Sequence, residues 1–428
     1  MRHLRAWYYF GSLAAVYLSS PSLIVNELAT LTGVPLGLLN LIIFVNAGFL
    51  FVRHAPGVRI GRYGSVFASL LLLTIVYLFF VWIVAYGFNT SGSGPRAVVK
   101  TLLMTGFAYA IMNSRGFDLE GFSRSFITIV SIVALLSVVL YAGYQTGYLS
   151  VDWADVAGHQ RMIKGLGGYL NTVLPYYQSP VGISIRSQSY FTEPANFGQF
   201  LAFPLFLSLD IYRRSRQVRW LSAFVIMLVA TVLTFSVAAL FGLLFAAILL
   251  IGVRPWLVGD RHRRRSVGRI ALTLVLSVLL VLAVQQGARL VFGTGQATIV
   301  SKGGDAALFE RRSRADVYLE VLEDHPFGFI EFAESFGGNA GLPMDLLING
   351  GIPLFLLVGV LLAHFYATCL KAVLVGREGL AYAGVLAMMP AFLWEGQISE
   401  AYFLFHIAFV YTLVDHHRLT RSNLLLKK

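Results

Sequence analysis

Apolar runs of helical length, separated by short polar or basic segments, recur along the whole of this 428-residue chain. A helix needs roughly 20 apolar residues to cross the hydrocarbon of a bilayer. Runs of this kind lie near 6–25, 34–52, 63–87, 97–113, 125–147, 196–212, 219–235, 236–253, 270–292, 346–370, 379–397 and 400–416. The seventh and eighth form one uninterrupted apolar stretch that is too long for a single helix, so a break is placed near Phe235-Ser236. The pattern predicts an all-α polytopic membrane protein with about twelve transmembrane helices. Two connections, about 148–195 and 293–345, are far longer than a turn requires, and they hold stretches such as YLNTVLPYY and VYLEVL. Connections of that length are usually functional or disordered. The apolar content favours ordered, partly helical caps on the bundle. With no internal repeat and no low-complexity linker, residues 1–428 read as one integral membrane domain.

Composition agrees with the pattern. At 57% hydrophobic and only 13% charged, the chain has too little polar surface to face water everywhere, so lipid must solvate much of it. Its single cysteine, Cys369, excludes an internal disulfide framework and a thiolate metal site. The net charge of +12 raises nucleic acid as a partner, but the placement of the charges argues against it. RHAPGVRIGR, RRSRQVR and RHRRRSVGR all fall in connections that alternation of the spans puts on one side, together with both termini. Most of the 33 Lys and Arg are on that side, whereas most of the 21 Asp and Glu are on the side of the two long loops. That is the positive-inside asymmetry. Both termini are therefore expected in the cytoplasm, the long loops outside, and nucleic acid drops out. Residues 2–5 and the run after them resemble a secretory signal but lack a small-residue cleavage site, so an uncleaved first span is expected.

Candidate chemistry gathers in the two long loops. The first ends in RSQSYFTEPANFGQF, residues 186–200. Pro194 suits the first turn of the sixth span, and Thr192 or Glu193 suits its N-cap. Two readings stay open. In one, Glu193 caps the helix and pairs with Arg186. In the other, Arg186 binds phosphate while Glu193 orients it or an incoming hydroxyl.

The second loop carries FERRSRADVYLEVLEDHPFGF, whose segment Glu310–Asp324 is predicted to be a helix stopped by Pro326. At about 100° per residue, Ala315, Tyr318, Leu319 and Leu322 form an apolar stripe opposite Asp316, Glu320 and Glu323. Arg312 lies beside the acidic face, where an i,i+4 pair with Asp316 is worth only about 0.3–0.5 kcal/mol. Arg311 and Arg314 extend the apolar stripe, and an arginine aimed at the bundle needs an anion, carbonyls or a carboxylate. Arg186, Arg311 and Arg314 are therefore candidates to converge on phosphate, because guanidinium offers two parallel charge-assisted bonds to its oxygens. Satisfaction by the many carboxylates on that side is the competing account. Tyr190, Asn196, His325 and Asn339 are weaker candidates for contact with a glycan, and His406 in the last span is expected to bond to a neighbouring helix. No HExxH, Asp-x-Asp, P-loop or Ser-His-Asp order is present, so neither a metal nor a cofactor is expected.

These segments carry a family resemblance. FTEPANFG leads into a span after an arginine in a large loop, and a second loop has an arginine-led helix ending in HPFGF, followed by LLINGGIPLFLL. The chain resembles the bacterial Wzy-type O-antigen and exopolysaccharide polymerases and is similar to the related O-antigen ligases. The ligases place a histidine before an asparagine in the second loop, whereas here Gly338 precedes Asn339, which favours the polymerases. The resemblance implies a metal-independent glycosyltransferase of the bacterial inner membrane. It would transfer a growing glycan from undecaprenyl pyrophosphate to a new lipid-linked repeat unit on the periplasmic face. Arg186 would match the first-loop arginine and Arg311 or Arg314 the second-loop one, with Glu193 as base. A chain-length regulator and a flippase would be partners alongside membrane lipid. A ligase or lipid-to-protein glycan transferase is the alternative within the class. A twelve-helix transporter or flippase of lipid-linked sugars is the alternative outside it, and such proteins usually carry polar residues near the midplane.

Overall fold

The computed structural model describes residues 57–86, 93–146, 148, 152–156, 159–164, 176–179, 182–185, 194–234, 236–253, 322–323, 326–328, 342–375, 380–395 and 401–425, with parts of 38–53. In order, these contain α1 (Arg62–Tyr86), α2 (Ser93–Met112), α3 (Leu119–Gln145), β1 (Asp152–Val156), β2 (His159–Lys164), β3 (Tyr176–Ser179) and β4 (Gly182–Ile185). They continue with α4 (Pro194–Ser215), α5 (Val218–Leu233), α6 (Val237–Ala247), α7 (Leu342–Val375), α8 (Leu380–Glu395) and α9 (Ala401–Leu425). A π-helical turn, Ile248–Val253, extends α6. Each of these helices falls on one of the apolar runs. The runs at 6–25 and 270–292, and most of the one at 34–52, lie outside the described residues.

Among the described residues, three helices are long and apolar enough to cross a membrane: Arg62–Val81 in α1, Leu119–Gly143 in α3 and Leu342–Leu374 in α7. Only 33%, 39% and 44% of their apolar windows are buried in the protein, so these helices present wide apolar faces to the surroundings. On α1 that face includes Leu72, Leu73, Val76, Phe80 and Val84. Of the shorter apolar helices, Val98–Met112, Leu380–Met389 and Phe403–His416 lie further in, whereas Val218–Leu233 and Ala239–Ile251 also expose apolar residues such as Val225 and Phe241.

The interior is built on small residues and rings. Every residue of α8 from Leu380 to Met389 is buried. A β-carbon on Gly384 would strike the Ala202 carbonyl of α4, and one on Gly242 would strike the Ala387 carbonyl, so α4, α6 and α8 approach nearly backbone to backbone. Between apolar helices in lipid, such close packing supplies the attraction that water supplies elsewhere. A second layer of Phe122, Phe126, Phe200, Phe203, Phe405 and Phe409 knits α3, α4 and α9 through edge-to-face and tilted pairs, with centroids 5.2–6.4 Å apart.

The break expected near Phe235-Ser236 is present. α5 ends at Leu233, and Ser236 caps α6 by accepting the Ala239 N–H at 3.2 Å. Thr234 donates its hydroxyl to the Thr231 carbonyl at 2.7 Å and accepts from the Ser236 N–H at 3.2 Å. Two hydroxyls so close together offer the backbone partners that compete with the helical ladder.

The first long loop differs from expectation. Where helical caps were predicted, it carries two antiparallel hairpins, β1–β2 and β3–β4. Val156 pairs with His159 and Ser179 with Gly182, pairs that two residues of sequence separate. Ala157-Gly158 and Pro180-Val181 supply the glycine and proline that short turns favour. Local turn chemistry between short β-forming segments outweighs the apolar content that suggested helix. Of the second long loop, Leu322 and Glu323 are helical and Pro326–Phe327 form a turn.

Candidate functional site

The described parts of the two resemblance segments sit where the long loops enter the bundle. The first is the opening of α4, which begins at Pro194, as its fixed φ and missing N–H suit. Asn196 and Gln199, one turn apart, are both buried. Gly198 between them faces the α5–α6 corner, and a β-carbon there would lie 2.9 Å from both Thr234 Oγ1 and Ala239 Cβ. The glycine of FTEPANFG therefore serves helix contact: it seats the first turn of α4 against the capped corner at Thr234 and Ser236.

The second is a clasp between HPFGF and LLINGGIPLFLL. α7 is two helices joined at Gly350 (φ −160°, ψ 15°) and Gly351 (φ 64°, ψ −161°). The turn at Pro326–Gly328 presses on this joint. The Ile352 N–H donates to the Pro326 carbonyl at 3.0 Å, which caps the second half of α7. A β-carbon on Gly328 (φ 100°) would come within 2.8 Å of the Gly350 and Gly351 nitrogens. One on Gly351 would run into the Pro326 carbonyl. Glycine is required on both sides, for backbone conformation and for space. From α1, the Tyr77 hydroxyl donates to the Gly350 carbonyl at 2.7 Å, using an acceptor that the broken ladder leaves over. Just before the joint, the buried amide of Asn349 donates to the Asp345 carbonyl at 2.8 Å and to Asp345 Oδ1 at 2.9 Å.

Of the residues singled out from sequence, Asn196 is described and lies buried in the opening turn of α4. Arg186, Tyr190, Glu193, Arg311, Arg314, His325 and Asn339 lie outside the described residues. The structure thus seats one end of each segment that carries them on the bundle: the α4 opening on its corner, and Pro326–Gly328 on the α7 joint. Tyr77, Asp345 and Asn349 were not among the sequence candidates. The i,i+4 spacing of Asp345 and Asn349 was a usable signal, whereas nothing in the chain links Tyr77 to a carbonyl 273 positions away.

Elsewhere, His406 is fully buried, with Nδ1 3.3 Å from Met388 Sδ of α8, so it does bond to a neighbouring helix. Its ring lies against Phe126, Phe200 and Phe203 at 4.9–6.2 Å. Among the described residues, no group of three or more His, Cys, Asp and Glu side chains is arranged to hold a metal ion. Compared with protein families, curated proteins and solved structures, the chain matches none.

Proposed function

We propose that the chain is a membrane glycosyltransferase that polymerises undecaprenyl-pyrophosphate-linked oligosaccharide repeat units on the periplasmic face of the bacterial inner membrane. Both termini are cytoplasmic in this reading. One observation supports it most: the HPFGF turn and the double-glycine joint of α7, separate in sequence, meet backbone to backbone. A site assembled from two long loops needs each loop anchored to the bundle within a few tenths of an ångström. The clasp anchors the second loop just after its arginine-bearing segment, and the Gly198 contact anchors α4 just after Arg186 and Glu193.

The chemistry is a displacement at the anomeric carbon. The acceptor hydroxyl oxygen of a new lipid-linked repeat forms a bond to that carbon as its bond to the pyrophosphate oxygen of the growing chain breaks. The pyrophosphate leaves on the lipid with the electron pair. Arg186, with Arg311 or Arg314, stabilises the charge that develops there. Glu193 takes the acceptor proton.

The test is whether purified protein lengthens a lipid-linked oligosaccharide when no nucleotide sugar is supplied. In cells, Arg186→Ala and Arg311→Ala are expected to abolish polymer while single lipid-linked repeats accumulate on the periplasmic side. Full-length polymer from both variants overturns the assigned roles, and repeats trapped facing the cytoplasm point to transport instead.

A further inference from the structure

The end of the bundle opposite the long loops holds another group of arginines, and there the side chains are described. Residues 58–60 do not join a helix. They lie along 113–115 as an isolated antiparallel bridge, Val58 to Ser114. The Arg59 N–H donates to the Asn113 carbonyl at 2.9 Å and the Arg115 N–H to the Gly57 carbonyl at 2.8 Å. Asn113 is anchored in turn, since its amide donates to the Tyr109 carbonyl and to Thr412 Oγ1 of α9, both at 2.8 Å.

The register has a consequence for charge. Gly57 faces Arg115 and Arg59 faces Asn113, so the two arginines occupy one face as diagonal neighbours, about 7–8 Å apart. Gly57 leaves the room for this, because a β-carbon there would sit 3.3 Å from Arg115 Cβ. Arg62, the first residue of α1, is exposed nearby, as are Arg59 and Arg115.

The carboxylates at this end are engaged elsewhere. Asp415 accepts the Gly64 N–H at 2.9 Å and the Tyr63 N–H at 3.4 Å. Asp118 accepts the Gly121 N–H at 2.9 Å. Glu120 pairs with Arg124 and Asp210 with Arg214. Among the described residues, none forms an ion pair with Arg59, Arg62 or Arg115, and the flanking sequences RHAPG and HHRLTRSNLLLKK contain no acid. Main-chain bonds thus fix the backbones of two exposed arginines as neighbours on one face, and among the described residues no carboxylate forms an ion pair with either, which leaves their counter-charge to the surroundings. An anion with several oxygens would supply it.

Two observations suit an anion at a membrane surface. Exposed Val52 and Ile60 flank the arginines with apolar surface. The rings of Tyr63 and His364 are 6.0 Å apart, and α7 runs on from His364 to Val375, about 16 Å at 1.5 Å per residue. The Val58–Ser114 bridge, just before Tyr63, therefore lies part-way along the bundle rather than at its tip. We infer that Arg59 and Arg115, joined by Arg62, bind the phosphate of an anionic phospholipid headgroup in the leaflet at this end. This rests on the membrane-crossing helices and not on glycosyl transfer.

The test uses the full chain in lipid nanodiscs, comparing phosphatidylcholine alone with phosphatidylcholine containing phosphatidylglycerol. Phosphatidylglycerol is expected to raise the Tm of the wild type. Arg59→Gln/Arg115→Gln is expected to lose more than half of that rise. Arg213→Gln/Arg216→Gln, exposed arginines of the α4–α5 turn, is expected to keep it. The idea fails if wild type shows no rise, if both double variants respond alike, or if inorganic phosphate alone reproduces the shift. Should the first double variant not fold, the single variant Arg115→Gln is read against the same criteria, with phosphatidylglycerol retained in native mass spectra as the second measure.

Discussion

Asp415 occupies a position where the apolar pattern of the last helix simply runs out, yet its carboxylate caps another helix. Its partners, the N–H groups of Tyr63 and Gly64, open α1 more than 350 positions earlier in the chain. Those donors have no intrahelical acceptor, and a negative charge suits a helix N-terminus. The fit is close: a β-carbon on Gly64 would collide with the Tyr109 hydroxyl and lie 2.7 Å from Asp415 Oδ2. Asp415→Ala is therefore expected to cost about 0.5–2 kcal/mol, as loss of an N-cap does. Asp415→Asn should cost less because it keeps an acceptor oxygen. Thermal unfolding in detergent reads the difference, and equal losses would mean that charge, not the hydrogen bond, matters. Gly106 offers a control, since a β-carbon there meets only Leu71 Cδ2 at an ordinary 3.5 Å. Gly106→Ala should be tolerated where Gly64→Ala is not. None of this was legible beforehand, because an aspartate at the end of an apolar run looks like any solvated terminus.

At the level of elements, breaks carry more information than helices. The corner between α5 and α6 was readable from length alone, because no single span could hold the whole run. The joint in α7 was readable only as the start of a span. Its partner, the Pro326–Gly328 turn, belongs to a different segment, and glycine pairs do not announce what they touch. Gly351→Ala and Gly328→Ala should loosen the second long loop from the bundle. Faster proteolysis within 329–341 and faster amide exchange at Ile352 would report it. Gly359→Ala, with nothing within 4 Å of the added carbon, should leave both rates unchanged. If Gly351→Ala behaves like Gly359→Ala, the clasp does not anchor the loop. Tyr77→Phe removes one hydrogen bond to the joint and should cost about 0.5–1.5 kcal/mol, a milder effect. The hairpins of the first loop show the opposite failure. Their turns were visible in VAGH and SPVG, but long-loop apolar content was weighted above them.

For the molecule as a whole, sidedness can be tested directly. The only cysteine, Cys369, is fully buried, so the natural chain is a quiet background for thiol labelling. Tyr148, exposed beyond the end of α3, and Arg213, exposed at the end of α4, lie at opposite ends of the alternating helices. Tyr148→Cys should react with an impermeant maleimide in spheroplasts, and Arg213→Cys only after the membrane is opened. Labelling of both from outside would reverse or break the proposed topology. Read without any coordinates, the chain already specified which stretches become α1 to α9, where one apolar run must divide, and which connections are rich in positive charge. These depend on local hydrophobicity, caps and loop charge, all short-range. Which helices touch, and which backbone groups complete each broken end, required three dimensions. Lipid is as apolar as the helix faces it replaces, so hydrophobic pattern carries no preference for one neighbour over another. Small residues, ring geometry and stray hydrogen-bonding groups make that choice, and their partners lie hundreds of residues apart.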